Sequence, residues 1–198
     1  MNIKIHRGLD QIGGCITEIS TETSRVFIDF GQNLPGNGEP TTPEEDEALV
    51  TRIFAQNKKQ HEAVFYTHGH EDHVGLFEYI PEDVPQYMSE GTKGLLEIKY
   101  DVLCEGADIK VNELLENECD SQEYSDAMNN LIYADNKCKL LNKIEIWQRT
   151  SPRKTPDSIT IGDIKVTPFF NCHSIYDSHM FLIKADDKRI WHMGDYRE

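Results

Sequence analysis

The chain has 198 residues, a length typical of one domain, and its 20 Lys and Arg against 35 Asp and Glu give a formal net charge of −15. Its 38% hydrophobic and 28% charged residues are typical of a globular protein. No apolar run approaches the roughly 20 residues of a membrane span, and the N-terminus lacks a signal-peptide core. Because a net charge of −15 repels polyphosphate, any phosphate-binding surface must be local.

The cysteine pattern argues against a zinc ribbon or a thioredoxin-type redox motif. The five cysteines are Cys15, Cys104, Cys119, Cys138 and Cys172, and none forms a Cys-x-x-Cys pair. Scattered thiols in a chain without an export signal are typical of a reducing compartment. The sequence therefore predicts a cytoplasmic location.

The first third of the chain is predicted to contain three short strands followed by one helix. Alternating apolar residues predict strands over 3–5 and 15–19, and an apolar run that lasts up to Asp29 predicts a third strand over 25–30, with a hairpin turn before it. Thr42 is a favourable N-cap, and Glu45 completes a capping box at the start of the next helix.

The remainder of the chain returns from helices to strands. The predicted elements are strands at 63–66, 86–88, 159–161, 164–170, 180–184 and 189–193, and helices at about 89–103 and through most of 104–148. Trp147 and Trp191 are predicted to lie in the core. Strands, then helices, then strands predict an α/β sandwich.

One segment concentrates metal-binding chemistry between a strand and a helix. His68, His70, Asp72 and His73 place three imidazoles and a carboxylate within six residues. Neutral imidazole nitrogen and carboxylate oxygen are ligands that zinc and similar divalent ions prefer. The alternative is a histidine-rich surface turn, but clustering imidazoles beside a carboxylate without a metal brings no evident gain.

Two later segments offer further ligands, each at the end of a predicted strand. The first ends at His173 and the second at Asp195. Alone, either would be a weak signal, because a single histidine after a strand is more often structural. Together with the first segment they supply four histidines and two aspartates.

Several segments of the chain resemble the metallo-β-lactamase superfamily of metal-dependent hydrolases. The similar segments are VFIDFG at 26–31, the histidine segment at 68–73, CHSIYDS at 172–178 and MGDY at 193–196. Within the superfamily, QIGG at 11–14, YMSEGT at 87–92 and the HSIxDS pattern are most similar to the ribonuclease J group. The resemblance implies that residues 1–198 form the front part of a metallo-β-lactamase-type αββα sandwich, incomplete at its C-terminus. It does not cover a helical, acidic insertion at about 104–150.

The resemblance also implies a two-metal centre. The first metal would be held by His68, His70 and His173, the second by Asp72 and His73, with Asp195 bridging both and Asp29 orienting the loop through hydrogen bonds. Asp72 and Asp195 are thus the candidate catalytic residues. Two zinc ions are expected, with manganese or another divalent metal as the alternative.

Such a centre would cleave phosphodiester bonds, and RNA is the expected substrate. A hydroxide held between two metals is already deprotonated at neutral pH, and both ions stabilise charge on a phosphoryl oxygen. One alternative is a hydrolase of a small ester, thioester or lactone, which the acidic surface fits better than RNA. A second alternative is a catalytically incomplete fragment that only binds metal.

The position of Asp195 suggests that the chain is part of a longer enzyme. The sequence ends at Glu198, whereas the family has a further histidine ligand downstream, and its ribonuclease J members place a β-CASP domain in between. We therefore interpret the chain as the front part of a longer enzyme or a truncated product. An open sandwich edge would also favour a homo-oligomer. The candidate phosphate contacts are Arg149, Arg153 and Lys154, with a solvated loop as the alternative.

Overall fold

The computed structural model describes residues 1–34, 41–116, 121–148 and 156–196. Within these ranges the strands are β1 (Asn2–Arg7), β2 (Ile16–Ser20), β3 (Ser24–Ile28), β4 (His61–Phe65), β5 (Gln86–Met88), β6 (Glu145–Ile146), β7 (Ile159–Ile161), β8 (Ile164–Phe170), β9 (His179–Ala185) and β10 (Lys188–His192). The helices are α1 (Pro43–Ala55), α2 (Glu71–Val74), α3 (Glu90–Glu116) and α4 (Ser121–Leu141), with a 3-10 turn at Phe77–Tyr79. None of these helices is both long and apolar enough to cross a bilayer.

The strands form two sheets. The six-stranded sheet has the order β1-β2-β3-β4-β5-β6, antiparallel from β1 to β3 and parallel from β3 to β6. The four-stranded sheet has the order β10-β9-β8-β7 and is antiparallel throughout. The predicted strands are confirmed with boundaries that differ by no more than two residues. The predicted α/β sandwich is therefore correct.

The main core lies between the two sheets. Its buried residues are Ile19, Val26, Ile28, Ala63, Phe65, Trp147, Ile161, Ile164, Val166, Phe181, Ile183 and Ala185. Strand β3 is buried on both faces: Val26 and Ile28 belong to this core, whereas Phe27 contacts Phe54 of α1 with ring centroids 5.0 Å apart. The layers thus run from α1 through the six-stranded sheet to the four-stranded sheet.

The chain divides into two compact units. The first comprises residues 1–92 and 145–198 and contains both sheets, and the second comprises residues 93–144. In the second unit Val111 and Leu114 of α3 pack against Ala127 of α4. Because burial of these apolar residues stabilises the helical conformation after residue 103, α3 extends beyond its predicted end. The assignment of one domain with an insertion at 104–150 stays a prediction, and residues 117–120, 149 and 150 of that insertion lie outside the described ranges.

The two tryptophans differ in burial. Trp147 is 5% exposed and lies in the main core, as predicted. The prediction for Trp191 is wrong, because this residue is 48% exposed. Strand β10 is an edge strand in which alternate side chains face opposite ways. Ile190 packs against the core, so its neighbour Trp191 points outward and contacts Phe169.

The predicted capping box at the start of α1 is confirmed and gives a stability prediction. Thr42 Oγ1 accepts a hydrogen bond from the Glu45 amide, and the Thr42 amide donates to the Glu45 carboxylate. We expect Thr42→Ala to lower the free energy of unfolding by about 1 kcal/mol, because a helix N–H loses its partner. Urea denaturation measures the change, and Thr42→Ser, which keeps the hydroxyl, is the control. An unchanged midpoint in Thr42→Ala would contradict the role of the cap.

Candidate metal centre

The sequence-predicted ligands come together at the ends of three strands. His68 and His70 follow β4, and His73 lies on α2. His173 follows β8, and Asp195 follows β10. His68 and His73 are buried, whereas Asp195 is about half exposed. The cluster is therefore open to solvent on the side of Asp195.

The first group of side chains consists of His68, His70 and His173. One ring nitrogen from each lies within 4.8 Å of the others. His70 Nδ1 is 3.0 Å from His68 Nε2 and 3.3 Å from His173 Nε2. Tetrahedral zinc with Zn–N bonds of about 2.0–2.1 Å separates its ligand nitrogens by roughly 3.3 Å. The spacing therefore fits three nitrogens that share one ion.

The second group brings His73 beside two carboxylates. His73 Nε2 is 3.5 Å from Asp72 Oδ2 and 3.5 Å from Asp195 Oδ1. The other oxygen of Asp195, Oδ2, is 3.9 Å from His173 Nε2 in the first group. Asp195 thus presents one oxygen to each group, which is the arrangement that a bridging ligand requires.

The Nε2 atom of His73 indicates whether the second group could bind a cation. This atom is buried and makes no hydrogen bond to any described residue. A buried polar atom without a partner costs free energy, and here it faces two carboxylates. A divalent cation would satisfy the nitrogen and both oxygens together. The residues present therefore fit a metal ion.

Asp29 and Thr67 hold the histidine segment from beneath. Asp29 follows β3 with a positive φ of 63° and accepts hydrogen bonds from the Thr67 amide (2.7 Å), the Thr67 hydroxyl (2.8 Å) and His73 Nδ1–H (2.8 Å). Thr67 Oγ1 is also 2.9 Å from His68 Nδ1. Sequence reasoning singled out Asp29 but missed Thr67, whose position directly before His68 was the available signal.

The neighbouring charges and burial shift the pKa values of two histidines in the cluster in opposite directions. Burial and the neighbouring His73 lower the pKa of His68 to about 3, so this imidazole is neutral, as a metal ligand must be. Burial opposes charge on His73 as well, but the Asp29, Asp195 and Asp72 carboxylates outweigh it and raise the pKa of His73 to about 10. Contact with His73 lowers the pKa of Asp195 to about 2.

Asn171 fixes the end of the Asp195 segment, a role that sequence reasoning did not identify. Its side-chain amide donates to the backbone carbonyls of Met193 (2.8 Å) and Asp195 (2.7 Å). The residue lies two positions before His173, so one short loop both carries a candidate ligand and positions another. The proposed phosphate contacts Arg149, Arg153 and Lys154 lie outside the described residues.

Gly31 leaves room for the backbone of Asp72 and gives a second prediction. A Cβ atom at Gly31 would lie 1.6 Å from the Asp72 carbonyl oxygen. Since backbone cannot move as freely as a side chain, we expect Gly31→Ala to lower the free energy of unfolding by about 1–3 kcal/mol and to displace Asp72. Thermal denaturation and metal titration measure the two effects.

Gly106→Ala is the matched control for this substitution. Gly106 lies within α3, and a Cβ atom there meets nothing within 4 Å. Alanine should stabilise the helix by up to about 1 kcal/mol at this position. Equal behaviour of the two variants would show that the space at Gly31 is unimportant.

Comparisons with known proteins agree with this architecture. The chain is 24% identical over 194 residues to ribonuclease J of Helicobacter pylori (strain ATCC 700392 / 26695). The alignment covers 96% of this chain and 22% of that enzyme. The chain therefore spans about a fifth of the length of the curated relatives it matches. No family profile matches it.

Two solved structures share the fold. A protein of unknown function from Enterococcus faecalis V583 aligns with a TM-score of 0.63 and 23% identity, over 98% of this chain and 43% of that one. A B3 metallo-β-lactamase with an active-site glutamic acid aligns with a TM-score of 0.51 and 14% identity, over 96% of this chain and 58% of that one. The chain thus has part of the metallo-β-lactamase fold, since it covers 58% of that lactamase chain, and it is similar in sequence to ribonuclease J.

Proposed function

We propose that the chain carries the metal centre of a hydrolase that cleaves phosphodiester bonds in RNA. The observation that supports this most strongly is the convergence of four histidines and two aspartates from three distant segments. The similarity to ribonuclease J over 194 residues favours RNA as the substrate class. The comparison supports a nucleic acid despite the net charge of −15, which alone would favour a small substrate.

Each side chain has a defined part in this proposal. One ion would be held by His68, His70 and His173 and another by Asp72 and His73, with Asp195 between them. When bound, two zinc ions would activate water for in-line attack and stabilise charge on a phosphoryl oxygen. Manganese or another divalent metal would serve the same purpose.

Around this centre the chain itself supplies orientation and access. Asp29 keeps the His73 proton on Nδ1, which leaves Nε2 directed at the Asp72 and Asp195 carboxylates. Thr67 and Asp29 fix the backbone between β4 and His68. The exposed side of Asp195 is the face through which a substrate would approach.

Metal content and RNA cleavage test the proposal together. We expect the purified chain to hold one or two divalent ions by elemental mass spectrometry, and His70→Ala and Asp72→Ala to lower that number. His61→Ala is the matched control, because His61 is an exposed histidine on β4. Single-stranded RNA should be cleaved by the metal-loaded protein, and a chelator or Asp72→Ala should abolish cleavage.

Each other outcome favours a different function. If the protein holds metal and hydrolyses a thioester or lactone while RNA stays intact, the small-substrate alternative replaces RNA cleavage. If a folded chain binds metal without any turnover, it is a binding fragment. If it binds no metal, the proposed centre is wrong.

A further inference from the structure

A groove lies along the loop that carries His173 and is not used by the proposed chemistry. Its volume is about 810 Å³, and it is bounded by the first turn of α3, the end of β6 and the loop between β8 and β9. Tyr176 in this loop lines the groove, and His173 lies three residues earlier in the same loop. A ligand in the groove would therefore lie along the segment that carries a candidate metal ligand.

Aromatic side chains form much of the groove wall. Tyr176 is 73% exposed and Phe170 is 55% exposed, although both are large rings. The Phe170 ring is held against His179 with centroids 4.8 Å apart, whereas Trp147 is buried. An aromatic ring that is fixed on one side and open on the other, as Phe170 is, provides a stacking surface for a planar ligand.

The polar groups of the groove are mainly hydrogen-bond acceptors. The carboxylates of Glu90 and Asp177 line it, and Asp177 already accepts a hydrogen bond from the Gly91 amide (2.8 Å). The side-chain NH₂ of Asn171 donates to two backbone carbonyls, so its Oδ1 atom is the group left to bind a ligand. None of the described lining residues is basic. These acceptors favour a ligand that donates N–H groups.

We propose that the groove binds a nucleobase with an exocyclic amino group, as in adenine, cytosine or guanine. The base stacks on Tyr176 and Phe170, and its amino group donates to Glu90 or Asn171. Stacking on aromatic rings accepts any base, whereas the acceptors favour bases with an amino group, which donates two hydrogens where a ring N–H donates one. The role of this groove in substrate selection rests on the proposed hydrolysis of RNA, but binding of the base itself does not.

Nucleoside binding to the 198-residue chain tests the proposal directly. In a Trp191→Phe background Trp147 is the single tryptophan, so its fluorescence reports on the groove. We expect adenosine to bind, and purine riboside, which lacks the 6-amino group and has no N–H on its ring, to bind at least about fivefold more weakly because one hydrogen bond is lost. Tyr176→Ala should weaken adenosine binding by about tenfold, because base–aromatic stacking is lost. Tyr176→Phe should bind as the parent does.

The outcomes separate this inference from the proposed function. Adenosine binding that survives in His70→Ala, in a protein that leaves RNA intact, would support the groove and contradict RNA cleavage. Equal binding of adenosine and purine riboside, absence of adenosine binding, or full binding by Tyr176→Ala would overturn the groove assignment, even in a protein that cleaves RNA. Because Tyr176 is largely exposed, its replacement leaves the fold intact.

Discussion

Arg25→Met should lower the free energy of unfolding by about 3–5 kcal/mol, because it leaves a buried carboxylate without its ion-pair partner. Arg25 is fully buried in β3, and its Nε atom donates to Glu62 Oε1 at 2.6 Å. The Glu62 side chain is 6% exposed, so water cannot replace the lost partner. The remaining Glu62 charge is therefore the main source of the expected loss.

The same guanidinium also caps the C-terminal end of α1. It donates to the backbone carbonyls of Ile53 (3.3 Å), Phe54 (3.2 Å) and Gln56 (2.7 Å), which lie at the end of that helix. It also lies over the Phe27 ring, 5.0 Å from its centroid. Carbonyls at a helix C-terminus lack partners within the helix, so each loses its hydrogen bond when the arginine is removed.

Urea denaturation of three variants measures this effect. Arg52→Met is the matched control, because Arg52 is exposed on α1 and its loss should change stability by no more than about 0.5 kcal/mol. The double variant Arg25→Met/Glu62→Met should recover part of the loss, since it removes the unpaired charge. If Arg25→Met were no less stable than Arg52→Met, the buried ion pair would not be a major contributor.

This network was outside the reach of sequence analysis for a physical reason. Arg25 lies at the start of a strand that is buried on both faces, and its partners are 28 to 37 residues away, in and just after α1 and in β4. Periodicity reports which way a side chain points, but it carries no information on which distant carbonyl that side chain meets. The ion pair depends on the parallel pairing of β3 and β4, which places Arg25 opposite Glu62.

The local elements, in contrast, could be predicted because their signals are local. The capping box at Thr42 and the strand 164–170 depend on residues a few positions apart, and both are confirmed. The histidine segment could be recognised as a metal-binding pattern for the same reason. His173 and Asp195 could be singled out only as candidates at strand ends, and their assignment to individual metal ions required the family resemblance, because nothing within either segment specifies the other. The extension of α3 depended on packing against α4, which is a tertiary contact.

Asp29→Asn should weaken divalent-metal binding by about 10- to 100-fold while the chain still folds. The ionised Asp29 accepts from His73 Nδ1–H, so Nε2 is the nitrogen directed at Asp72 and Asp195, and it becomes a ligand atom when a metal ion displaces its proton. An asparagine NH₂ in the same position would donate to Nδ1, so the neutral ring would keep its proton on Nε2. The nitrogen that faces the two carboxylates would then be a donor and could not bind a metal.

Glu18→Gln provides a matched control for this change of tautomer. Glu18 is a buried carboxylate bonded to His6 Nε2 at 2.8 Å, and this pair contributes no ligand atom to the metal cluster. Zinc titration with a competing chelator should therefore show weaker binding for Asp29→Asn and unchanged binding for Glu18→Gln. NMR of the imidazole nitrogens should show the proton of His73 on Nε2 in Asp29→Asn. If Asp29→Asn kept full zinc affinity, Asp29 would not control the orientation of His73 as a ligand.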